Sequence, residues 1–257
     1  MIVLFDIGNS NTHVGLATRN RVVRHFDVPT ADWFSGRAPA RVARQLRSAR
    51  LAGAGICSVV PTATPLVHVF IEQRLGLRAL EVTHKNITGV GINYPQPETI
   101  GPDRLANAVA ATAAFGAPVV VLDFGTAVTF DVIDRNRCYV GGIIAPGLAA
   151  MTEYLHERTA LLPRIHIREI STVIGRSTEE AMLVGAVHGY RGLIRGLLLE
   201  IRRELRARRL PVVATGGYAS LIAARLPDIR EVRPALTLDG IRLIWLAHCR
   251  ESTAATE

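Results

Sequence analysis

The alternation of apolar and polar positions divides the chain into two halves that begin alike. Ile2 to Phe5 is an apolar run that ends on acid at Asp6, and a Gly/Asn/Ser turn follows. His13 to Ala17 and Val22 to Val28 predict two more strands, so the chain opens as a β-meander with tight turns. Pro39 to Ala49 predicts an amphipathic helix with arginine on its outer face. Gly55 to Val60 predicts a short strand stopped by Pro61, Thr64 to Leu75 a helix closed by Gly76, and Leu77 to Val82 a further strand. Asn86 to Ile100 is rich in Gly, Pro, Asn and Thr and is expected to be a long loop. Loops of that length inside a compact domain usually carry function.

The series then restarts. Pro102 to Phe115 predicts a helix with Leu105, Ala108, Val109 and Thr112 along one face, and Gly116 and Pro118 punctuate its end. Val119 to Asp123 is a second apolar strand ending on acid, and Ala127 to Ile133 and Tyr139 to Ile144 repeat the meander up to Pro146-Gly147. Helix is expected from Leu148 to about Arg158, irregular chain from Leu161 to Ser177, and one or two helices from Thr178 to Arg209. Gly185, Gly189, Gly192 and Gly196 weaken the continuity of that last stretch. Leu210 to Thr215 (strand), Gly216-Gly217 (turn), Tyr218 to Leu226 (helix), Arg230 to Val232 (strand) and Leu236 to His248 (helix) complete the series. Such a repeat is too long for a solenoid, whose units run ~20–50 residues. It predicts an internal duplication: two α/β domains, 1–116 and 117–257, facing each other with a ligand in the cleft between them.

Composition narrows the classes. At 257 residues and 49% hydrophobic, the chain is long enough for one large core or two smaller ones. Asp6 interrupts the first apolar run, which has no basic start, so no signal peptide is expected. No apolar run reaches the ~20 residues of a membrane span, which makes a cytoplasmic protein the expectation. Cys57, Cys138 and Cys249 are scattered, which argues against a zinc site or a disulfide framework. The net charge is +8, carried almost wholly by arginine, with Lys85 the only lysine. Arg41, Arg44, Arg47 and Arg50 recur at helical spacing, as do Arg202, Arg206 and Arg209, and no aromatic residues interleave with them. We read these as solvated helix faces, not a nucleic-acid surface. A positive field would also attract an anionic triphosphate.

The candidate chemistry sits at the turns and at the second half's threshold. In Asp6-Ile7-Gly8-Asn9-Ser10-Asn11-Thr12, Gly8 permits a sharp turn and close approach to a ligand. Backbone N–H groups with the Ser10 and Thr12 hydroxyls can then hold phosphate oxygens, and Asp6 can bind Mg²⁺ directly or through water. Alone, this turn reads better as an ordinary hairpin. The second copy, Asp123-Phe124-Gly125-Thr126-Ala127-Val128-Thr129, again gives acid, one residue, then Gly, with hydroxyls after it. Two such turns suit a two-sided phosphate clamp, and neither a P-loop nor a Gly-x-Gly-x-x-Gly run occurs. Thr215-Gly216-Gly217 is a plausible nucleoside contact. Gly101-Pro102 reads as a helix start with Pro at the first position. Asp103 and Arg104 fall in its first turn, Asp103 as a base for a hydroxyl nucleophile and Arg104 as a fork for a carboxylate. The helix dipole is expected to depress the Asp103 pKa.

Taken in order and spacing, these stretches resemble the type III pantothenate kinases, of the acetate and sugar kinase/heat-shock chaperone/actin superfamily. Tyr94-Pro95, Asn107, Gly141-Gly142, Pro146-Gly147 and Thr178 with Glu180-Ala181 add to the likeness, which runs from Met1 to about Leu246. The resemblance implies two duplicated ribonuclease H-like (actin-like ATPase) domains. It also implies ATP-dependent phosphorylation of pantothenate, the first step of coenzyme A synthesis. On it, Asp6 to His13 (with Ile7, Asn9 and Asn11) and Thr126 bind ATP, and Asp103 is the proton acceptor. Tyr94, Gly101, Pro102, Asp103, Arg104 and Thr178 contact pantothenate. Asp123 helps to bind a monovalent cation, K⁺ or NH₄⁺, used beside Mg²⁺. The family is dimeric, the second subunit completing the pantothenate pocket. It usually has Ala or Val where this chain has Pro102, a residue that suits its helix position. The alternatives are another small-molecule kinase on the same scaffold, a nucleotide switch such as actin, and a regulatory protein with a basic surface.

Overall fold

The computed structural model describes residues 1–254, with side chains to 250. The chain forms two compact units: 1–116 with 137–140 and the chain from Ala235 on, and 117–136 with 141–234.

The first unit opens with β1 (Ile2–Ile7), β2 (Asn11–Ala17) and β3 (Val22–Pro29), the predicted meander. A one-turn helix, α1 (Ala31–Phe34), follows; the sequence pattern did not reveal it because four residues carry no periodicity. Next come α2 (Ala38–Leu46), β4 (Gly53–Ser58), α3 (Thr64–Leu75) and β5 (Ala79–Glu81). Gly76 caps α3 in the left-handed region at φ 65°, as a helix-ending Gly should. The sheet order is β3-β2-β1-β4-β5, with β1 antiparallel to β2 and parallel to β4. Its core is aromatic at the centre: Phe5, Trp33 and Phe70 meet edge to face at 5.6–6.3 Å between ring centroids. Each such pair is worth about 0.5–1.5 kcal/mol beyond its burial.

The expected long loop is not wholly irregular. It contains a short strand, β6 (Gly91–Ile92), and a 3₁₀ turn at Pro97–Thr99. Helix α4 (Pro102–Phe115) has the predicted bounds and Pro at its start. It is not amphipathic, however, for every residue from Leu105 to Thr112 is buried. A helix apolar on all sides belongs inside a fold.

The second unit repeats the plan. It holds β7 (Val119–Phe124), β8 (Ala127–Ile133), β9 (Cys138–Pro146), α5 (Leu148–Arg158), α6 (Thr178–Val184), α7 (Tyr190–Glu204), β10 (Val212–Thr215), α8 (Ala219–Ala223) and β11 (Glu231–Val232). Strand order β9-β8-β7-β10-β11 matches the first sheet element for element. The predicted 178–209 helix is split by a π-helical turn at Gly185–Gly189. The irregular stretch before α6 is held by side chains: both guanidinium ends of buried Arg191 bond Glu169, at 3.0 and 2.7 Å. The first residues of β9, Cys138 and Tyr139, pair with β6 and belong to the first unit.

Helix α9 (Leu236–Ala254) departs from the predicted division at 116/117, because it packs in the first unit. Leu238, Ile241 and Trp245 share one helix face, and each lies over a strand glycine: Gly15, Gly55 and Gly53 respectively. A Cβ at Gly55 would come within 2.7 Å of Ile241. Gly240 in turn lies against the α4 backbone at Ala106, and Thr237 donates to Asn107 Oδ1 at 2.9 Å. Those notches are invisible to periodicity, which saw only that α9 was a helix. Among the described residues no helix is long and apolar enough to cross a membrane.

Candidate active site

The first acidic turn closes β1 onto β2. Asp6 is half-buried, pairs across the strands with His13, and is followed by the pair Ile7–Thr12. Gly8 N–H donates to the Asn11 carbonyl at 3.0 Å, and Asn9, Ser10 and Asn11 are exposed. Thr30 braces the loop from behind. Its hydroxyl donates to the Gly8 carbonyl at 2.6 Å and its N–H to the Ser10 carbonyl at 3.0 Å. Thr12 Oγ1 lies 3.1 Å from Thr30 Oγ1 and accepts the Trp33 indole N–H at 3.1 Å. Since Thr30 has given its single proton to Gly8, Thr12 is the donor between the two hydroxyls. Thr12 is fully buried and its hydroxyl is committed to this brace, which corrects the expectation that it reaches phosphate. Its place in this turn is that of a support. His13 Nδ1 lies 2.7 Å from Asp27 Oδ1 on the neighbouring strand.

The second acidic turn closes β7 onto β8 on the same frame. Asp123 is again the half-buried fifth residue of its strand, paired with Thr129. Gly125 N–H donates to the Ala127 carbonyl at 3.0 Å, and Thr126 is exposed. Here the brace is glycine backbone. Gly147 N–H donates to the Thr126 carbonyl at 3.1 Å, and a Cβ on Gly147 would overlap the Thr126 and Gly125 carbonyls. Gly216 follows Thr215, the parallel partner of Asp123, and stands at φ 89°. A Cβ there would fall 2.6 Å from Phe124 N and 2.7 Å from Asp123 Oδ1. Gly217 is exposed beside it. Thr178, also exposed, is the first residue of α6. Ser177 caps that helix by accepting the Glu180 N–H at 3.1 Å, and Glu180 accepts the Arg176 N–H at 2.7 Å.

The start of α4 brings together the other predicted substrate residues. Asp103 Oδ1 accepts the Arg104 N–H at 2.8 Å. Burial pushes the Asp103 carboxyl above the usual aspartate range, outweighing that backbone bond and the Arg104 charge, both of which pull it down. The expected depression by the helix terminus is thereby reversed, because desolvation of a charge at this half-enclosed position is the larger effect. The missing side chain of Gly101 leaves the space that Asp103 Oδ1 occupies. Arg104 lies over the Tyr139 ring, 5.6 Å from its centroid, and Tyr94 meets the same ring edge to face at 6.2 Å. Tyr139 had no signal in the sequence, and neither did Thr30 or Trp33; Gly147 did, as part of Pro146-Gly147.

Comparisons with known proteins identify the family. The family model for type III pantothenate kinase matches residues 2–200. The chain belongs to the type III pantothenate kinases. A type III pantothenate kinase of Akkermansia muciniphila is 46% identical over 94% of this chain and 96% of its own. One of Methylacidiphilum infernorum is 44% identical over 95% of this chain and 87% of its own. Among solved structures, a conserved candidate Baf family transcriptional activator of Campylobacter jejuni superposes with a TM-score of 0.60, covering 96% of this chain and 99% of that one. At 19% identity that likeness speaks for the fold alone. The activity that goes with membership is ATP-dependent phosphorylation of pantothenate in coenzyme A biosynthesis.

ATP is the co-substrate, and a divalent ion accompanies it. Among the described residues no cluster of three His, Cys, Asp or Glu could cage a metal. Mg²⁺ needs no such cage, since one or two carboxylates with phosphate and water complete its shell, and Asp6 fits that requirement. A cavity of about 710 Å³ lies at the Ile2 end of β1, away from Asp6, and none of these site residues lines it.

Proposed function

We propose that the chain phosphorylates pantothenate with Asp103 as the proton acceptor. The observation that carries this reading is the start of α4, where one turn sets a carboxylate with a raised pKa beside a guanidinium held on an aromatic face. The primary hydroxyl of pantothenate attacks the γ-phosphorus of ATP. A bond forms between that oxygen and phosphorus, the bond to the β–γ bridging oxygen breaks, and ADP leaves. The hydroxyl proton passes to Asp103. Phosphoryl transfer depends mostly on positioning and on charge neutralisation, so a carboxylate suffices as base.

On this reading the turn from Asp6 to His13, with Thr126, Gly216 and Gly217, holds the nucleotide. Tyr94, Gly101 to Arg104 and Thr178 hold pantothenate, with Arg104 on its carboxylate. When bound, Mg²⁺ at Asp6 and K⁺ or NH₄⁺ at Asp123 neutralise phosphate charge. We further propose a cytoplasmic homodimer with no nucleic-acid partner. The second unit exposes the large apolar side chains Ile144, Tyr154, Leu161, Val173 and Ile174, surface of the kind a partner subunit covers.

The deciding experiment is turnover of the purified chain with ATP, Mg²⁺, K⁺ and a panel of hydroxy acids. Phosphorylation confined to pantothenate is the expected result; preference for a sugar or another acid overturns the substrate assignment. Replacing K⁺ by Na⁺ should sharply lower the rate, and indifference to that swap removes the cation from Asp123. Sedimentation velocity tests the dimer.

A further inference from the structure

We propose that Tyr139 is the positioning residue that sets the pantothenate grip of Arg104 and Tyr94. The inference rests on the reading of those two residues as pantothenate contacts. Tyr139 comes from the first residues of β9, far along the chain from both, yet its ring is where they converge. Its face lies under the Arg104 guanidinium and its flank meets the Tyr94 ring at an interplanar angle of 69°. Its backbone is fixed as well: Tyr139 pairs with Ile92 in the β6–β9 ladder, and its carbonyl accepts the Asn93 N–H at 2.9 Å. Tyr94 is the next residue along, so one strand pairing sets the place of both rings.

The burial pattern gives the division of labour. Tyr139 is fully buried, whereas Tyr94 is 37% exposed and Arg104 is half-buried. Tyr139 therefore cannot itself meet substrate; the two residues that lean on it can. An arginine has many rotamers, and a flat ring beneath the guanidinium narrows them to those lying parallel to its face. A fork already aimed loses less freedom when it captures a carboxylate. Tyr139 thus acts on pantothenate through Arg104 and Tyr94, and on ATP not at all.

The test is a double-mutant cycle on Tyr139→Leu and Arg104→Ala, with separate KM values for pantothenate and ATP. Tyr139→Leu should raise the pantothenate KM about tenfold, the loss expected when one partly desolvated cation–π contact goes, and leave the ATP KM within about twofold. In an Arg104→Ala background the same change should have a smaller effect, because one of its two routes to substrate, the charged one, has been removed. Tyr139→Phe keeps the ring and should stay much closer to the parent than the leucine variant. If Tyr139→Leu does not fold, Tyr139→Met fills the volume with a flexible chain and carries the same test. Full additivity of the two changes overturns the proposal, as does a parallel rise in both KM values. Should Arg104→Ala leave the pantothenate KM unchanged, the reading of Arg104 as a substrate contact is what fails. The effect of Tyr139→Leu in the parent enzyme then shows whether Tyr94 alone is positioned.

Discussion

The two acidic turns stand on the same frame and are held in different ways. β1 and β7 bury four residues, half-expose an aspartate and bury a sixth, and each pairs antiparallel on one side and parallel on the other. The first turn has one more residue: Ile7–Thr12 encloses four positions, Phe124–Val128 only three. The longer loop is tied by side-chain hydrogen bonds from Thr30, Thr12 and Trp33; the shorter one is packed by the backbones of Gly147 and Gly216. Duplication has thus preserved where the acid stands and let the support behind it diverge. A hydrogen-bonded strut can be weakened in steps. Glycine contact tolerates no side chain at all.

The sharpest break of that contrast is Gly216→Ala against Gly8→Ala. At Gly216 the new methyl meets backbone at 2.6 Å and a positive φ besides, so a loss on the order of 3 kcal/mol or more is expected. At Gly8 the methyl would meet only the Asn11 carbonyl, at 3.0 Å, and a loss below about 1.5 kcal/mol is expected. Denaturant midpoints of the two variants measure this directly. Equal losses would show that the two turns are supported alike.

Next in size is the proposed base. Both sets of five strands are followed by a helix with an acid in its first turn, α4 with Asp103 and α9 with Asp239. Asp239 is occupied by Arg242 of its own helix at 2.7 Å, whereas the Asp103 carboxylate accepts the backbone N–H of Arg104 at 2.8 Å. Asp103→Asn should cut kcat by about 10²-fold, about 2.7 kcal/mol of barrier, with nucleotide affinity kept. Asp239→Asn should leave kcat within about threefold and show itself in stability. Comparable kcat losses in both would remove the special role of Asp103.

Thr30→Val comes third. It strips the Gly8 carbonyl and the Thr12 hydroxyl of a buried partner and should cost about 2 kcal/mol of stability. The ATP KM should rise with it, because the loosened loop is the one proposed to hold the nucleotide. A change in stability with ATP KM untouched would separate the strut from the nucleotide site.

Much of this was readable in advance, and for a physical reason. Acid-x-Gly after an apolar run, Pro at a helix start and Gly at a helix end are local signals, so β1, β7, the start of α4 and the Gly76 cap follow from a few neighbouring residues. What stayed hidden depends on residues distant in the chain. Thr30 reaches back to Gly8, Tyr139 to Tyr94 and Arg104, and Leu238, Ile241 and Trp245 to strand glycines. No pattern within one segment encodes such a meeting. The pKa of Asp103 was misjudged on the same ground, since the dipole is local and burial is not.

The smallest effect is the pH dependence of stability, and it isolates Asp103. Its folded-state pKa lies above the ordinary aspartate value of 3.8, with burial as the main cause. Between the unfolded and folded pKa values the folded chain therefore holds a proton that the unfolded chain has released. The slope of unfolding free energy with pH follows the difference in bound protons, unfolded minus folded, and is negative in that window. Asp103 thus lowers stability as pH rises from about 4 through its raised pKa, and its unfavourable contribution is complete above it. Subtracting the unfolding free energies of Asp103→Asn from those of the parent, pH by pH, should leave a difference that falls across this window and is flat above it. The acid limb of kcat/KM should lie on the same raised pKa, since the base works only when deprotonated. A difference that rises with pH would mean that the backbone bond and Arg104 outweigh burial after all, and the acid limb would then shift below the ordinary aspartate range.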